Sequence, residues 1–359
     1  MPVVIERSRN TGVDVGRALA CLFVVSCHAN MAISANFIWF FQYGPLALMY
    51  FMVICGFVLA FPFCQPKPKE TFDLALYFKK RAIRIVPAYY VAISLVVAVK
   101  AIGIACERSH SASELLWQAG SHLLFIHEWF GNTAYALNPA WHSMTLEAQY
   151  YALFPFLLFA FIRIGSPLVF LATVTFISLA YAALLARFGP TTNTLIAGLC
   201  FNRIFEFAAG MTVAGIFAAR GESMRPKLLG IALVSMTTGG FLLHMESDLG
   251  GLLGMQALVL SAFIAFLFLG TRKATIPGIS SIIGVGAYLG RISYSTFLVH
   301  ASVGNAAMKL LLPFVKSSWG IWGVAGSFAA YIVLAHAAGV VFFTLVERPG
   351  SKLLSRWLG

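Results

Sequence analysis

The chain has 359 residues, 60% hydrophobic and 11% charged, with a mean hydropathy of +0.84. That composition excludes a soluble globular domain and a disordered chain, and predicts an all-α, polytopic integral membrane protein. The formal net charge of +12 does not indicate a nucleic-acid partner, because no basic stripe interleaves with exposed aromatics and Lys and Arg collect in the loops of one membrane face.

Runs long enough to cross a bilayer need about 20 apolar residues. They fall at roughly 13–33, 40–63, 84–104, 140–162, 166–186, 196–219, 228–244, 250–270, 283–311 and 319–346. A shorter run, 115–130, holds His122, His127 and Glu128 and either spans or lies in the interface. Charge chooses between them. With the N-terminus inside and 115–130 not spanning, seventeen Lys and Arg lie inside against six outside, and Arg17 and Arg291 within spans complete the 25. Counting 115–130 as a span would move the basic 220–227 and 272–273 loops outside, against the positive-inside rule. The expectation is ten spans, both termini cytoplasmic, and a single membrane domain over 1–359. No cleavable signal is expected, since the first apolar segment carries Asp14 and Arg17 and no small-residue cleavage site follows. The six Cys form no CxxC and no metal-ligand spacing with His, so no metal is expected.

The first span, DVGRALACLFVVSCH from Asp14 to His28, organises the rest. Arg17 and His28 are eleven positions apart, three turns along one face, and Asp14 lies one turn before Arg17. Each ionisable group in a bilayer helix costs on the order of 3 kcal/mol, so such groups are paired, face inward and mark working sites. The plainer alternative is a buried ion pair plus a hydrogen-bonded core histidine.

After the second span, Pro66 and Pro68 break the chain and 71–84 approaches the third. Arg81 and Arg84, one turn apart, are either a snorkelling anchor or a clamp whose guanidinium forks suit phosphate or carboxylate oxygens. In the fourth span Glu147 lies about seven residues, or ~10 Å, below the outer start, and His28 about five residues, or ~8 Å, below the outer end of the first. At similar depth, Glu147 either orients His28 as a general base requires or pairs with Arg203. Arg203 and Glu206, at i and i+3, offer a third pairing. His300, in the outer half of the ninth span, reads first as packing, and Glu347-Arg348-Pro349 as a helix end.

Taken in order, these stretches resemble the membrane-bound acyltransferase-3 family, whose members acylate bacterial surface sugars and some small molecules. Arg17 and His28 match its Arg, ten residues, His pattern. Arg81 and Arg84, followed by Ile85 and Pro87, match its Arg-x-x-Arg. YFMVICGFVL is similar to "FFxLSGFL", with Cys55 in place of Ser. SMTLEAQYYALFP is similar to "SLSVEEQFYLLFP", which aligns Glu147 with the first family glutamate. Arg203, Phe207 and Gly210 fit Arg-x-x-x-Phe-x-x-Gly, and ISYSTFLVH, ending in His300, fits "ISYSLYLWH". The matches run from residue 14 to about 349. Two departures lie beside the expected acceptor side: His142 stands where Trp is usual, and Ala148 replaces the second acid.

The resemblance implies an O-acyltransferase of the cytoplasmic (inner) membrane that uses acetyl-CoA or another acyl-CoA as donor. Its partners are a glycan or small-molecule hydroxyl acceptor and membrane lipids, and a homo-oligomer is compatible with it. Arg81, Arg84 and Arg17 would hold the donor, His28 would take the acceptor's proton or carry the acyl group, and Glu147 would orient His28. Asp14, His142, Arg203 and His300 would line the site. A proton-coupled transporter is the rival, for which intramembrane Arg, His and Glu would form a path, although the paired repeats common in transporters are not evident. A catalytically idle membrane partner would have no reason to keep these charges.

Overall fold

The computed structural model describes residues 10–33, 44–65, 72–107, 111–188, 199–220, 225–244, 248–269, 279–315 and 319–358. Among these the secondary structure is entirely helical. Twelve α-helices follow in order: α1 (Thr11–Ala32), α2 (Gly44–Cys64), α3 (Leu74–Glu107), α4 (Ala112–Leu123), α5 (His142–Ile164), α6 (Pro167–Phe188), α7 (Ile204–Arg220), α8 (Arg225–His244), α9 (Asp248–Leu269), α10 (Ile279–Leu311), α11 (Gly320–Phe342) and α12 (Arg348–Trp357). A π-helical turn, Phe343–Glu347, joins the last two.

Seven helices are long and apolar enough to cross a membrane, on α1, α2, α3, α5, α6, α10 and α11. Shorter apolar helices, Ile204–Ala219, Leu229–Gly239 and Gly254–Leu267, fall where the sixth, seventh and eighth spans were expected. Residues 115–130 do not form one helix. α4 stops at Leu123 after 12 residues, or about 18 Å, well short of a bilayer core of about 30 Å.

The chain divides into two compact units interleaved in sequence: Met1–Val24, Tyr43–Lys69 and Glu206–Ser293 form one, and Val25–Gln42, Glu70–Phe205 and Tyr294–Gly359 the other. In the first, Asn10 caps α1 by accepting from Val13 N (3.2 Å) and ties it to α9 by donating to Leu267 O (3.0 Å). α2 and α7 touch backbone to backbone. A Cβ at Gly56 would lie 2.9 Å from the Phe207 carbonyl carbon, and one at Gly210 would lie 2.8 Å from Phe57 N. Only hydrogen fits at either crossing, the small-residue packing by which membrane helices gain van der Waals contact.

In the second unit, two prolines decide which side chains meet. Pro87 has no N–H to give the carbonyl four residues back, and Ser351 Oγ of α12 donates to that freed Ile83 oxygen (3.0 Å). Pro155 likewise frees the Tyr151 carbonyl, which accepts from Tyr77 OH (3.1 Å). Each proline therefore recruits a hydroxyl from a distant helix and fixes α12 on α3 and α3 on α5.

Candidate active site

The second unit holds two polar clusters, one of imidazoles and one of guanidinium and phenol groups. His28, on the last turns of α1, is half-buried. Its ring meets His300 of α10 edge-on, 5.0 Å between centroids. His300 is fully buried. Its Nδ1 is 2.8 Å from Phe297 O, while Nε2, shielded from solvent, has no hydrogen-bond partner among the described residues. His142, the first residue of α5, lies within electrostatic reach of His28, with its Nδ1 3.1 Å from Pro139 O.

The segment between α4 and α5 frames this cluster. α4 ends with Phe125 N donating to His122 O (3.1 Å) and Ile126 N to Ser121 O (2.9 Å). Those paired bonds require a left-handed residue, usually Gly, yet Phe125 occupies the position at φ 57°. Its ring lies 5.0 Å from that of Tyr89. His122 and His127 then stack with rings 3.9 Å apart and 6° from parallel. His127 is anchored from three sides: a ring nitrogen is 2.9 Å from Trp141 O, Thr145 Oγ1 is 3.3 Å from Nδ1, and Thr133 Oγ1 donates to its carbonyl (2.6 Å). Trp141, wholly buried, donates Nε1–H to Leu298 O of α10 (2.9 Å). Burial pushes the two imidazoles down, to about 3 for His122 and about 4 for His127, so both are neutral near pH 7.

Glu128 follows His127 in the same 3₁₀ turn. Burial pushes its carboxyl up to about 7, with the Arg203 charge acting in the opposite sense. Oε2 is shielded and has no hydrogen-bond partner among the described residues. Arg203, at the end of the 3₁₀ turn before α7, also acts on His142, and its carbonyl accepts from Tyr150 OH of α5 (2.7 Å). The Arg203 charge is thus felt by Glu128 and His142, and that of His142 by His28, whose ring meets His300.

The second cluster is organised by Arg81. Its guanidinium lies 5.7 Å from the Tyr151 ring centroid and 6.0 Å from that of Tyr77, while Nε, shielded, has no hydrogen-bond partner among the described residues. Tyr151 OH donates to Glu147 Oε1 one turn before it on α5. Buried Tyr294 donates to Ile85 O (3.1 Å) and feels the charges of Glu147, Glu347 and Arg84. Glu347, on the π-turn, accepts from Ser295 Oγ. Arg84 itself is exposed. On α5 the step from His142 to Glu147 is about 7.5 Å, and on α10 the step from Tyr294 to His300 is about 9 Å.

In the first unit Asp14 and Arg17 form an ion pair, Oδ1 to Nη1 3.5 Å, with side chains only 6% and 15% exposed. The Arg17 charge also reaches Tyr50. Among the described residues no three His, Cys, Asp or Glu side chains are placed to hold a metal ion.

The structure brings His28, His142, His300 and Arg203 into one cluster, and Arg81, Arg84 and Glu147 into another. Glu147 accepts from Tyr151, and the first turn of α5 brings His142 within electrostatic reach of His28, a turn and a half before the glutamate. The Arg203 charge acts on Glu128 and His142. Sequence reasoning missed Glu128, Tyr151, Tyr294 and Glu347 as members. Their signals were a carboxylate in a run too short to span, a tyrosine four residues after Glu147, and an acid before a helix-terminal Arg-Pro.

The family model described as "Acyltransferase domain" matches residues 10–344. A curated relative, "Exopolysaccharide production protein ExoZ" of Rhizobium meliloti (strain 1021), is 25% identical over 316 residues, covering 86% of this chain and 90% of that protein. No solved structure matches. The matched span takes in the histidine cluster, all of the second cluster but Glu347, and seven helices able to cross a membrane: the chain belongs to the acyltransferase-3 family and is a multi-pass membrane acyltransferase.

Proposed function

We propose that this protein moves an acyl group, acetyl foremost, from cytoplasmic acyl-CoA to a hydroxyl of an exported cell-envelope glycan, an exopolysaccharide by analogy with the relative's name. It would sit in the inner membrane with both termini cytoplasmic. The observation that carries the reading is the His28–His300 pair, with a cationic, tyrosine-lined cluster further along the same α5 and α10.

Arg81 and Arg84 hold the donor's anionic groups. The shielded, unpartnered Arg81 Nε is a donor that an anion would satisfy, and exposed Arg84 meets the incoming phosphates. Glu147 fixes Tyr151 beneath Arg81 and thereby sets the clamp. Arg17, neutralised in part by Asp14, lies on the His28 face of α1. His28 takes the proton of the acceptor hydroxyl as its oxygen attacks the thioester carbonyl. The C–S bond breaks and the thiolate leaves with that proton returned from His28. His300 holds the His28 ring by its edge, and His142 and Arg203 face the acceptor.

The test is coenzyme A release from radiolabelled acetyl-CoA by the protein purified in detergent. His28→Ala should lose about 10²–10⁴-fold in turnover, the range for a positioned general base, and still bind donor. Arg84→Ala should weaken donor binding alone. Unchanged turnover in His28→Ala removes the proposed base, and a wild type that neither binds nor turns over any acyl-CoA removes the donor.

A further inference from the structure

The exposed side of α12 has no use in the mechanism above. α11, the π-turn and α12 run as one 38-residue helix from Gly320 to Trp357. By Arg348 that helix has risen about 42 Å, the thickness of a bilayer with its head groups, so α12 lies at the head-group boundary. One side of α12 is taken up by α3. A Cβ at Gly350 would lie 2.8 Å from Pro87 Cβ, Ser351 Oγ donates to Ile83 O (3.0 Å), and Lys79 Nζ donates to Leu358 O. The rest carries two stripes at four-residue spacing. Arg348, Lys352 and Arg356 are exposed, and so, one position further round, are Pro349, Leu353 (59%) and Trp357 (80%). A cationic row beside an open apolar row is the pattern of a helix held in a membrane interface.

Charge says what covers that face. α12 packs along residues 79–87 of α3, so the cations of both helices share one level. Residues 72–84 and 343–358 together hold seven Lys and Arg against two acids, Asp73 and Glu347. That excess strains the hydrogen bonds joining α12 to α3 unless anions from outside the chain offset it. Head groups of the surrounding leaflet lie at the right depth to do so. We propose that α12 is a binding site for anionic phospholipid. Arg348, Lys352 and Arg356 pair with the head-group phosphates, and Leu353 and Trp357 lie against the glycerol and first acyl carbons. The bound lipid holds α12 on α3 and thereby steadies the stretch that carries Arg81 and Arg84.

The test places the full chain in vesicles of phosphatidylcholine alone, or of phosphatidylcholine and phosphatidylglycerol in equal parts. Phosphatidylglycerol should raise the thermal midpoint of wild type by a few degrees. The triple variant Arg348→Gln, Lys352→Gln, Arg356→Gln should lose that rise, while Arg163→Gln, at an exposed cation near the end of α5, should keep it. Retention of radiolabelled phosphatidylglycerol through purification in detergent should fall about fivefold for each residue neutralised. In phosphatidylcholine alone the triple variant should match wild type in midpoint and in KM for acyl-CoA. An equal rise in wild type and triple variant overturns the proposal, because the lipid then acts elsewhere. A triple variant with a lower midpoint in phosphatidylcholine overturns it as well, by making the stripe structural. So does a raised acyl-CoA KM there, which would make the stripe part of the donor site.

Discussion

The glutamate in the α4–α5 turn should cost the folded protein stability in a way that depends on pH. Glu128 ionises at about 7 in the fold against an ordinary 4.5. Below 4.5 both states are protonated and the residue is neutral to stability. Between 4.5 and 7 the fold holds a proton the unfolded chain has released, so stability falls as pH rises, and above 7 the full penalty stands. At about 1.4 kcal/mol per pH unit the penalty is about 3 kcal/mol at pH 8, trimmed to about 2 by partial solvent access, and falls to about a quarter of that at pH 5. The charge acting on Glu128 is that of Arg203, and His127, stacked on His122, precedes it in the turn. These are common to wild type and Glu128→Gln, so the difference between the two isolates the carboxyl. Thermal unfolding in detergent should place Glu128→Gln a few degrees above wild type at pH 8, with most of the gap gone at pH 5. A gap of equal size at both pH values, or a variant less stable at pH 8, would refute the reasoning.

Three further outcomes follow from the packing. Glu147→Gln and Tyr151→Phe should each raise the KM for acyl-CoA and should couple in a double-mutant cycle by about 1 kcal/mol or more, since each removes one end of the same hydrogen bond. Additive effects would separate them. Gly56→Ala or Gly210→Ala should cost about 1–3 kcal/mol by overpacking the α2–α7 crossing, read as a lower thermal midpoint. Ser351→Ala should leave the carbonyl freed by Pro87 without its hydroxyl and cost about 1 kcal/mol, and an unchanged midpoint would show that water replaces it.

Much of this was open to sequence reasoning because it rests on short-range chemistry. Arg17 and Asp14 share a helix face by spacing alone, and the structure joins them at 3.5 Å. Spans are set by runs of apolar residues, and each expected run holds a helix. The partners of Glu147 and Arg203 were not open in the same way. They depend on where α5 starts, and that start is decided by the 3₁₀ turn Pro139–Trp141 and the Trp141–Leu298 bond across 157 residues. Depth estimated from a span boundary carries an error of a turn or so, which is enough to exchange His142 for Glu147 beside His28. The hydroxyls drawn to Ile83 and Tyr151 were hidden for another reason: a proline announces a freed carbonyl but not what will fill it.

The left-handed Phe125 has a consequence for how the protein meets its acceptor. An aromatic residue at φ 57° costs of order 1–2 kcal/mol that glycine would avoid, and its ring repays this by packing on Tyr89. Glycine there would relax the backbone but lose that ring contact, leaving the turn to rest on the His127 anchors alone. With phenylalanine, the turn is held on both sides before an acceptor arrives. A preorganised loop binds more tightly for the same contacts, so Phe125→Gly should weaken acceptor affinity while touching neither the acceptor nor the donor.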